Sequence, residues 1–311
     1  GDYIDETVLA DFEAQTGIAV NYETFATNED MYIKVKQGGT RYDVIVPSDY
    51  MIARLIAEGM LEKIDAGKIP TYANIGKRYL GLGFDPTNEY SVPYMWGTFG
   101  ILYNAKMVDE PVESWSIMWN PKYKKQILMM DSVRDSLAVA FLLLGYSLNT
   151  TDRAELEAAG KLLAEQKPLV LAYVGDNGKD MMAQEEAALA MSWSGDAVAV
   201  REQNPDLHYV IPKEGTNLWV DSMVIPKNSE HKKEALLFID FMNRPEIAKK
   251  NVEYIGYATP NMAAYGLLDE ETRSDPAAYP PDEALARWDV FVDIGEANAE
   301  YNRVWTEIKS R

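Results

Sequence analysis

The chemistry open to this sequence rests on carboxylates set among aromatic rings. Asp221 lies inside an apolar run, Leu218-Trp219-Val220-Asp221-Ser222-Met223-Val224-Ile225. A buried carboxylate needs a compensating partner, and a bound cation would supply one. In open α/β sheets ligands bind beyond the carboxyl ends of the strands. At the ends of the apolar runs stand Ser48, Asp49 and Tyr50; then Asp131, Ser132 and Asp135; then Trp193 and Asp196. Trp219, Asp221 and Ser222 belong to a fourth run, Tyr257 follows a helical stretch, and Asp2 and Tyr3 precede the first helix. Arg134 is the main cation in this set. Rings attract ammonium groups with about 2 kcal/mol when desolvated, and a charge-assisted hydrogen bond to a carboxylate adds roughly 1.5–3 kcal/mol. An elongated polycation with apolar spacers suits the pattern. An anionic ligand would instead ask for Arg, Lys or glycine-rich turns, and no GxGxxG or Walker sequence follows any strand. Each residue also has a plain structural use: Asp and Ser cap helix starts, and Trp and Tyr pack.

The elements that must position these residues follow from periodicity. A helix is predicted over 4–16, with Ile4, Val8, Leu9 and Phe12 on one face and Gly17 as its stop. A strand is predicted from the alternation of Ile18, Val20 and Tyr22, then a helix over 31–36 closed by Gly38-Gly39. Tyr42 to Pro47 reads as a buried strand, and Ser48 as the cap of a helix over 49–58. Tyr90 to Asn104 reads as two extended pieces meeting at Gly97. Strands are predicted at 126–130, 170–174, 189–193 and 218–226, with helices at about 132–145, 152–166, 179–186 and 231–243. Ser274 to Pro281 reads as a connector, and 283–311 as two helices. Helices alternating with strands indicate an α/β architecture with a largely parallel sheet.

Composition narrows the function. A length of 311 residues suits about two domains. Thirty Lys and Arg against 49 Asp and Glu give a net charge of −19, which repels nucleic acid and anionic lipid. The absence of cysteine excludes disulfides, thiol nucleophiles and zinc–thiolate sites. His208 and His231 each stand among polar residues and read as solvated, leaving no Ser-His-Asp triad or His-rich metal site in view. No apolar run is long enough to span a membrane. The sequence opens abruptly at Gly1-Asp2-Tyr3, as if an upstream segment, with either a lipid-attached or a freely soluble start, had been removed.

A family resemblance is carried by Tyr42-Asp43-Val44-Ile45-Val46-Pro47-Ser48-Asp49-Tyr50 and Ala57-Glu58-Gly59-Met60-Leu61-Glu62-Lys63-Ile64-Asp65. Tyr90-Ser91-Val92-Pro93-Tyr94-Met95-Trp96-Gly97-Thr98, Trp219 to Pro226 and Ile255-Gly256-Tyr257-Ala258-Thr259-Pro260-Asn261 extend it. In this order and spacing the chain resembles the spermidine/putrescine-binding proteins of polyamine ABC importers, a group of extracytoplasmic solute-binding proteins. The resemblance implies an α/β periplasmic-binding-protein-like fold: two lobes, each a mixed, mostly parallel sheet flanked by helices, with a hinged cleft between. It implies one lobe from 1–97 with 220–265 and another from 98–219 with 266–311, with crossings near 97, 219 and 266. It implies that Tyr3, Ser48, Tyr50, Trp219, Asp221 and Tyr257 line the cleft from the first lobe, and Asp135 and Trp193 from the second. Asp221 would pair with an inner amine and Asp135 with a terminal one.

Three departures stand out. Relatives carry a first strand ending in Asn-Trp before Gly-Asp-Tyr; this sequence begins after it, and Glu300 to Arg311 reads as helix rather than as a replacement strand. Ser132 stands where some relatives have a second carboxylate, and Val290-Phe291-Val292 where some have a Gln.

The resulting expectation is a non-enzymatic, monomeric receptor, periplasmic or extracellular, without metal or cofactor. It would deliver spermidine or putrescine to the membrane permease of an ABC importer. Two rivals are weighed. A receptor for sugars or for choline- or betaine-like cations would also use rings, but such cages need fewer carboxylates than Asp135 and Asp221 provide. A glycosidase needs paired carboxylates with distinct acid and base roles, and nothing in the sequence distinguishes Asp135 from Asp221 in that way.

Overall fold

Three helices open the chain, and short polar residues and glycines set the ends of the first two. The computed structural model describes residues 3–25, 27–281, 283–284 and 288–310. Helix α1, Glu6–Thr16, starts at Asp5, whose side chain accepts from the Thr7 N–H, and stops at Gly17 in the left-handed region (φ 72°). Its face of Val8, Leu9 and Phe12 is buried, with Phe12 packed edge-on to Phe238 and Phe241. Helix α2, Asn28–Gln37, is capped by Thr27 and closed by Gly38. Helix α3, Asp49–Ala57, follows Ser48.

Helices α2 and α3 are joined through Glu58. Its carboxylate accepts from the Tyr32 hydroxyl at 2.7 and 2.8 Å, from Lys36 Nζ at 3.1 Å and from Arg54 Nε at 3.2 Å. The Arg54 guanidinium lies 3.8 Å from the centre of the Tyr32 ring. These donors, Tyr32 foremost, hold the Glu58 carboxyl down at about 2, against an ordinary 4.5. A depressed folded value means the stabilisation is whole above the ordinary carboxyl range and is lost as pH falls through about 2. Glu58→Gln is therefore expected to cost about 1 kcal/mol at neutral pH, the figure for a partly exposed cluster. The gap from wild type should close in strong acid. Urea melts at neutral pH and near pH 2 check this, and an equal gap at both would reject it.

Two segments predicted as strands lack ladders. Residues 18–25 have no strand pairing; the Val20 N–H donates to Glu13 Oε1 at 2.6 Å and the Ile18 N–H to Thr16 Oγ1 at 3.2 Å. Side chains thus take the hydrogen bonds that a neighbouring strand would have supplied. Residues 42–47 make a single antiparallel bridge, Ile45 with Val224, with N–H to carbonyl distances of 3.0 and 2.9 Å.

Strand β1, Ser91–Asn104, is continuous through Gly97 rather than two pieces, because nearly every residue in it is buried. Next come β2, Ile127–Met130; α4, Val133–Leu144; α5, Arg153–Gln166; β3, Val170–Val174; α6, Asn177–Ala183; β4, Leu189–Trp193; and α7, Ser194–Arg201. Strand β5, Leu207–Val210, is not visible in the sequence pattern; the exposed His208 ring in it stacks 5.5 Å from Tyr103. Strand β6, Thr216–Val224, precedes α8, Lys232–Met242, and α9, Pro245–Ile255.

The chain divides into two compact units: Gly1–Trp96 with Trp219–Ser274, and Gly97–Leu218 with Asp275–Arg311. In the second unit the sheet is mixed. Strand β2 runs parallel to β3 and β4, and β1 runs antiparallel to β4 (Phe99 opposite Trp193) and to β5 (Ile101 opposite Val210). Gly100 permits the β5 approach, since a Cβ there would meet the Val210 carbonyl at 2.4 Å and the Tyr209 ring at 2.6 Å. In the first unit, antiparallel bridges join Ser48 to Asp221, Leu61 to Pro226 and Trp96 to Ala258.

The end of the chain is not two helices. Trp288–Asp289 pairs with Thr216 and Asn217, and one long helix, Asn298–Ser310, follows a 3-10 turn at Gly295–Ala297. Val290 and Phe291 are buried, so the apolar residues at that position serve packing.

Candidate functional site

In the first unit the rings and a carboxylate converge. Strand β6 carries Trp219 and Asp221, the bridge at Ser48 holds the start of α3 against Asp221, and the turn after α9 supplies Tyr257. The Tyr3 hydroxyl donates to Asp221 Oδ2 at 2.6 Å. The Tyr3 ring lies edge-on to Tyr257 at 5.9 Å, and Tyr257 lies edge-on to Trp219 at 5.1 Å. Tyr94 completes the frame: its ring is 5.5 Å from Tyr3, and its hydroxyl donates to the Tyr3 carbonyl at 2.9 Å. Burial, then the Asp221 carboxylate, pushes the Tyr3 hydroxyl well above the usual phenol range, so Tyr3 stays a donor. Trp219 is buried, and its indole N–H has no hydrogen-bond acceptor among the described residues.

The start of α3 is held in an unexpected way. The Ser48 hydroxyl makes no capping bond; it accepts from Asn28 Nδ2 at 3.1 Å, and the Ser48 N–H donates to Asn28 Oδ1 at 3.1 Å. Asp49 is fully buried, accepting from the Tyr50 N–H at 2.7 Å and the Val220 N–H at 3.4 Å, which ties α3 to β6. The half-buried Tyr50 donates its hydroxyl to Glu29 at 3.0 Å.

In the second unit, Asp135 follows the carboxyl end of β2, and Trp193 is the last residue of the adjacent parallel strand β4. Asp135 sits in the first turn of α4, where the helix dipole favours an anion. Ser132 caps that helix, donating its hydroxyl to Asp135 Oδ2 at 2.6 Å and accepting from the Asp135 N–H at 3.4 Å. Asp131 does not cap; it holds Lys309 Nζ at 2.6 and 2.7 Å. Trp193 borders a small cavity of ≈ 20 Å³, with Lys179 and Asp196 also in its wall. Arg134, the cation that stood out in the sequence, is 6% exposed and turned to the chain's end: it donates to the Val292 carbonyl at 3.1 Å and to Asn149 Oδ1 at 2.8 Å.

Among the sequence candidates, Tyr3, Trp219, Asp221, Tyr257 and Ser48 are thus joined by direct contacts or bridging, whereas Tyr50 is engaged by Glu29. Asp135 and Trp193 belong to the other unit, and Asp2 lies outside the described residues. Sequence reasoning missed Tyr94, Asn28 and Lys179. Tyr94 had a signal, an aromatic in the buried run 91–104; Asn28 and Lys179 had none. No cluster of His, Cys, Asp and Glu suited to a metal occurs among the described residues, and no helix there is long and apolar enough to cross a membrane.

Comparison with known proteins agrees with a binding role. Residues 7–280 match the family described as bacterial extracellular solute-binding protein. The Salmonella typhimurium spermidine/putrescine-binding periplasmic protein is 39% identical over 99% of this chain and 89% of its own length. A structure from Listeria monocytogenes, assigned provisionally as a spermidine/putrescine ABC transporter, has 43% identity and a TM-score of 0.96 over 99% of this chain and 96% of that one. The Streptococcus pneumoniae spermidine/putrescine ABC transporter substrate-binding protein has 43% identity and a TM-score of 0.88, covering all of this chain and 96% of its own. The chain therefore belongs to the bacterial extracellular solute-binding proteins, a family of transport receptors rather than enzymes.

Proposed function

We propose that this protein captures a polyamine, spermidine or putrescine, outside the cytoplasmic membrane and delivers it to the permease of an ABC importer. The ligand engages Tyr3, Ser48, Tyr50, Trp219, Asp221 and Tyr257 from the first unit and Asp135 and Trp193 from the second. The observation that carries this reading is the Asp221 carboxylate, oriented by the Tyr3 hydroxyl at 2.6 Å and set in a frame with the Tyr257 and Trp219 rings. An ammonium takes the carboxylate, and the neighbouring methylenes lie against the rings. The names of the relatives support the same ligand class. Two or three such ammonium pairs reach micromolar affinity, about −8 kcal/mol, after the cost of association.

The protein works as a monomer in this reading, one chain supplying both groups. A calorimetric titration with spermidine and putrescine is expected to give micromolar or tighter binding at one site per chain. A thermal-shift panel of polyamines, choline, betaine and sugars separates the alternatives. Stabilisation by a sugar or a betaine, with none by either polyamine, would reject the proposal.

A further inference from the structure

We infer that Tyr94 is a positioning residue of the polyamine site: by holding the Tyr3 carbonyl, its hydroxyl sets the Tyr3 hydroxyl on the Asp221 carboxylate. This rests on the polyamine reading above. Residues 3–5 belong to no helix or strand, so side-chain bonds hold them. The Tyr94 hydroxyl donates to the Tyr3 carbonyl at 2.9 Å. Two residues on, the Asp5 N–H donates at 3.0 Å to Oδ1 of Asn251, which is fully buried on α9. At its other end Tyr3 reaches Asp221 Oδ2 with its hydroxyl at 2.6 Å. One residue thus links the Tyr94 anchor to the carboxylate.

Strand β1 supplies that anchor from a fixed place. Tyr94 and Trp96 stand two residues apart, on one face of the strand, and both are buried. The Trp96 N–H donates to the Ala258 carbonyl at 2.9 Å, and its indole N–H to the Thr259 carbonyl at 3.2 Å. One strand therefore holds Tyr3 at residue 94 and the neighbours of Tyr257 at residue 96, and the two tyrosine rings meet edge-on at 5.9 Å. Burial foremost holds the Tyr94 hydroxyl well above the usual phenol range, so it remains a donor. Phenylalanine at 94 keeps the ring that lies 5.5 Å from Tyr3 and removes only the hydroxyl. The Tyr3 carbonyl then loses this donor, and its side chain can drift from Asp221, where a bond this short tolerates little displacement. A carboxylate that is no longer held must be ordered by the ligand, which costs affinity.

Putrescine and spermidine titrations of wild type, Tyr94→Phe, Tyr3→Phe and the double variant test this. Each single variant is expected to weaken both amines about threefold to tenfold, the scale of one hydrogen bond. The double variant is expected to match Tyr3→Phe within about twofold, because Tyr94 acts through the Tyr3 hydroxyl. A general loosening of the unit would weaken binding in both backgrounds. Wild-type affinity in either single variant, or losses that multiply in the double variant, overturns the inference. A ligand-free readout tests the linkage separately. The Tyr3 Cζ resonance of isotope-labelled protein, assigned by its loss in Tyr3→Phe, is expected to move in Tyr94→Phe, and an unmoved resonance also overturns the inference. Wild-type protein that binds neither amine would instead sink the polyamine reading itself.

Discussion

Asp221→Asn is expected to weaken binding of both spermidine and putrescine by at least tenfold, and by as much as roughly a hundredfold, the span of a hydrogen bond to a charged group. Asparagine preserves the shape of the side chain, and its carbonyl oxygen still accepts from Tyr3, whose hydroxyl lies 2.6 Å from Oδ2 in the wild type. What is lost is the charge. Tyr3 cannot replace it, because burial, the first cause of its raised pKa, still keeps the hydroxyl protonated when the Asp221 charge is gone. The rings of Trp219 and Tyr257 retain their affinity for an ammonium and for methylenes, so binding is reduced and not abolished. Calorimetric titration of folded Asp221→Asn decides the matter. Affinities equal to wild type for both amines would show that the carboxylate is not a ligand partner.

The local pattern disclosed the second unit's elements better than the first's. Strands 170–174 and 189–193 are short apolar runs between polar segments, and both form where that pattern places them. Glycines marked helix ends for the same local reason, as Gly17 and Gly38 do with positive φ. Ile18, Val20 and Tyr22 alternate like a strand, yet a strand exists only through its partner, and Thr16 and Glu13 take those N–H groups instead. Gly97 looked like a break, but burial of its neighbours carries β1 straight through. The candidate site shows the same limit. A carboxylate inside an apolar run is visible in one dimension, whereas the Tyr3 hydroxyl that orients it is 218 residues away. Lys179, on a short polar helix, reads as a solvated charge until the fold sets it beside Asp196.

Arg134→Met is expected to show the opposite signature, a loss of stability. Its guanidinium joins three segments of the second unit: it donates to the Val292 carbonyl and to Asn149 Oδ1, and it lies 4.5 Å from the Phe291 ring and 5.5 Å from the Tyr301 ring. Asn149 in turn accepts from the Val292 N–H at 2.9 Å and donates to the Val290 carbonyl at 2.9 Å, so one cation organises the backbone of 290–292. Methionine refills much of the volume against the rings but supplies no donor, leaving the Val292 carbonyl without its guanidinium N–H. Two hydrogen bonds from a charged donor and the ring contacts together amount to about 3–4 kcal/mol. For a unit of this size that lowers the melting temperature by roughly 6–16 °C. Thermal melts of the ligand-free variant measure it, and a shift of under about 2 °C would show that the guanidinium does not hold this segment. The guanidinium's bonds and ring contacts to Asn149, Val292, Phe291 and Tyr301 give it a fastening role, so polyamine affinity at a temperature where the variant is folded is expected to stay within about threefold of wild type. The buried guanidinium at the start of α4 thus fastens residues 290–292 to the rest of the second unit.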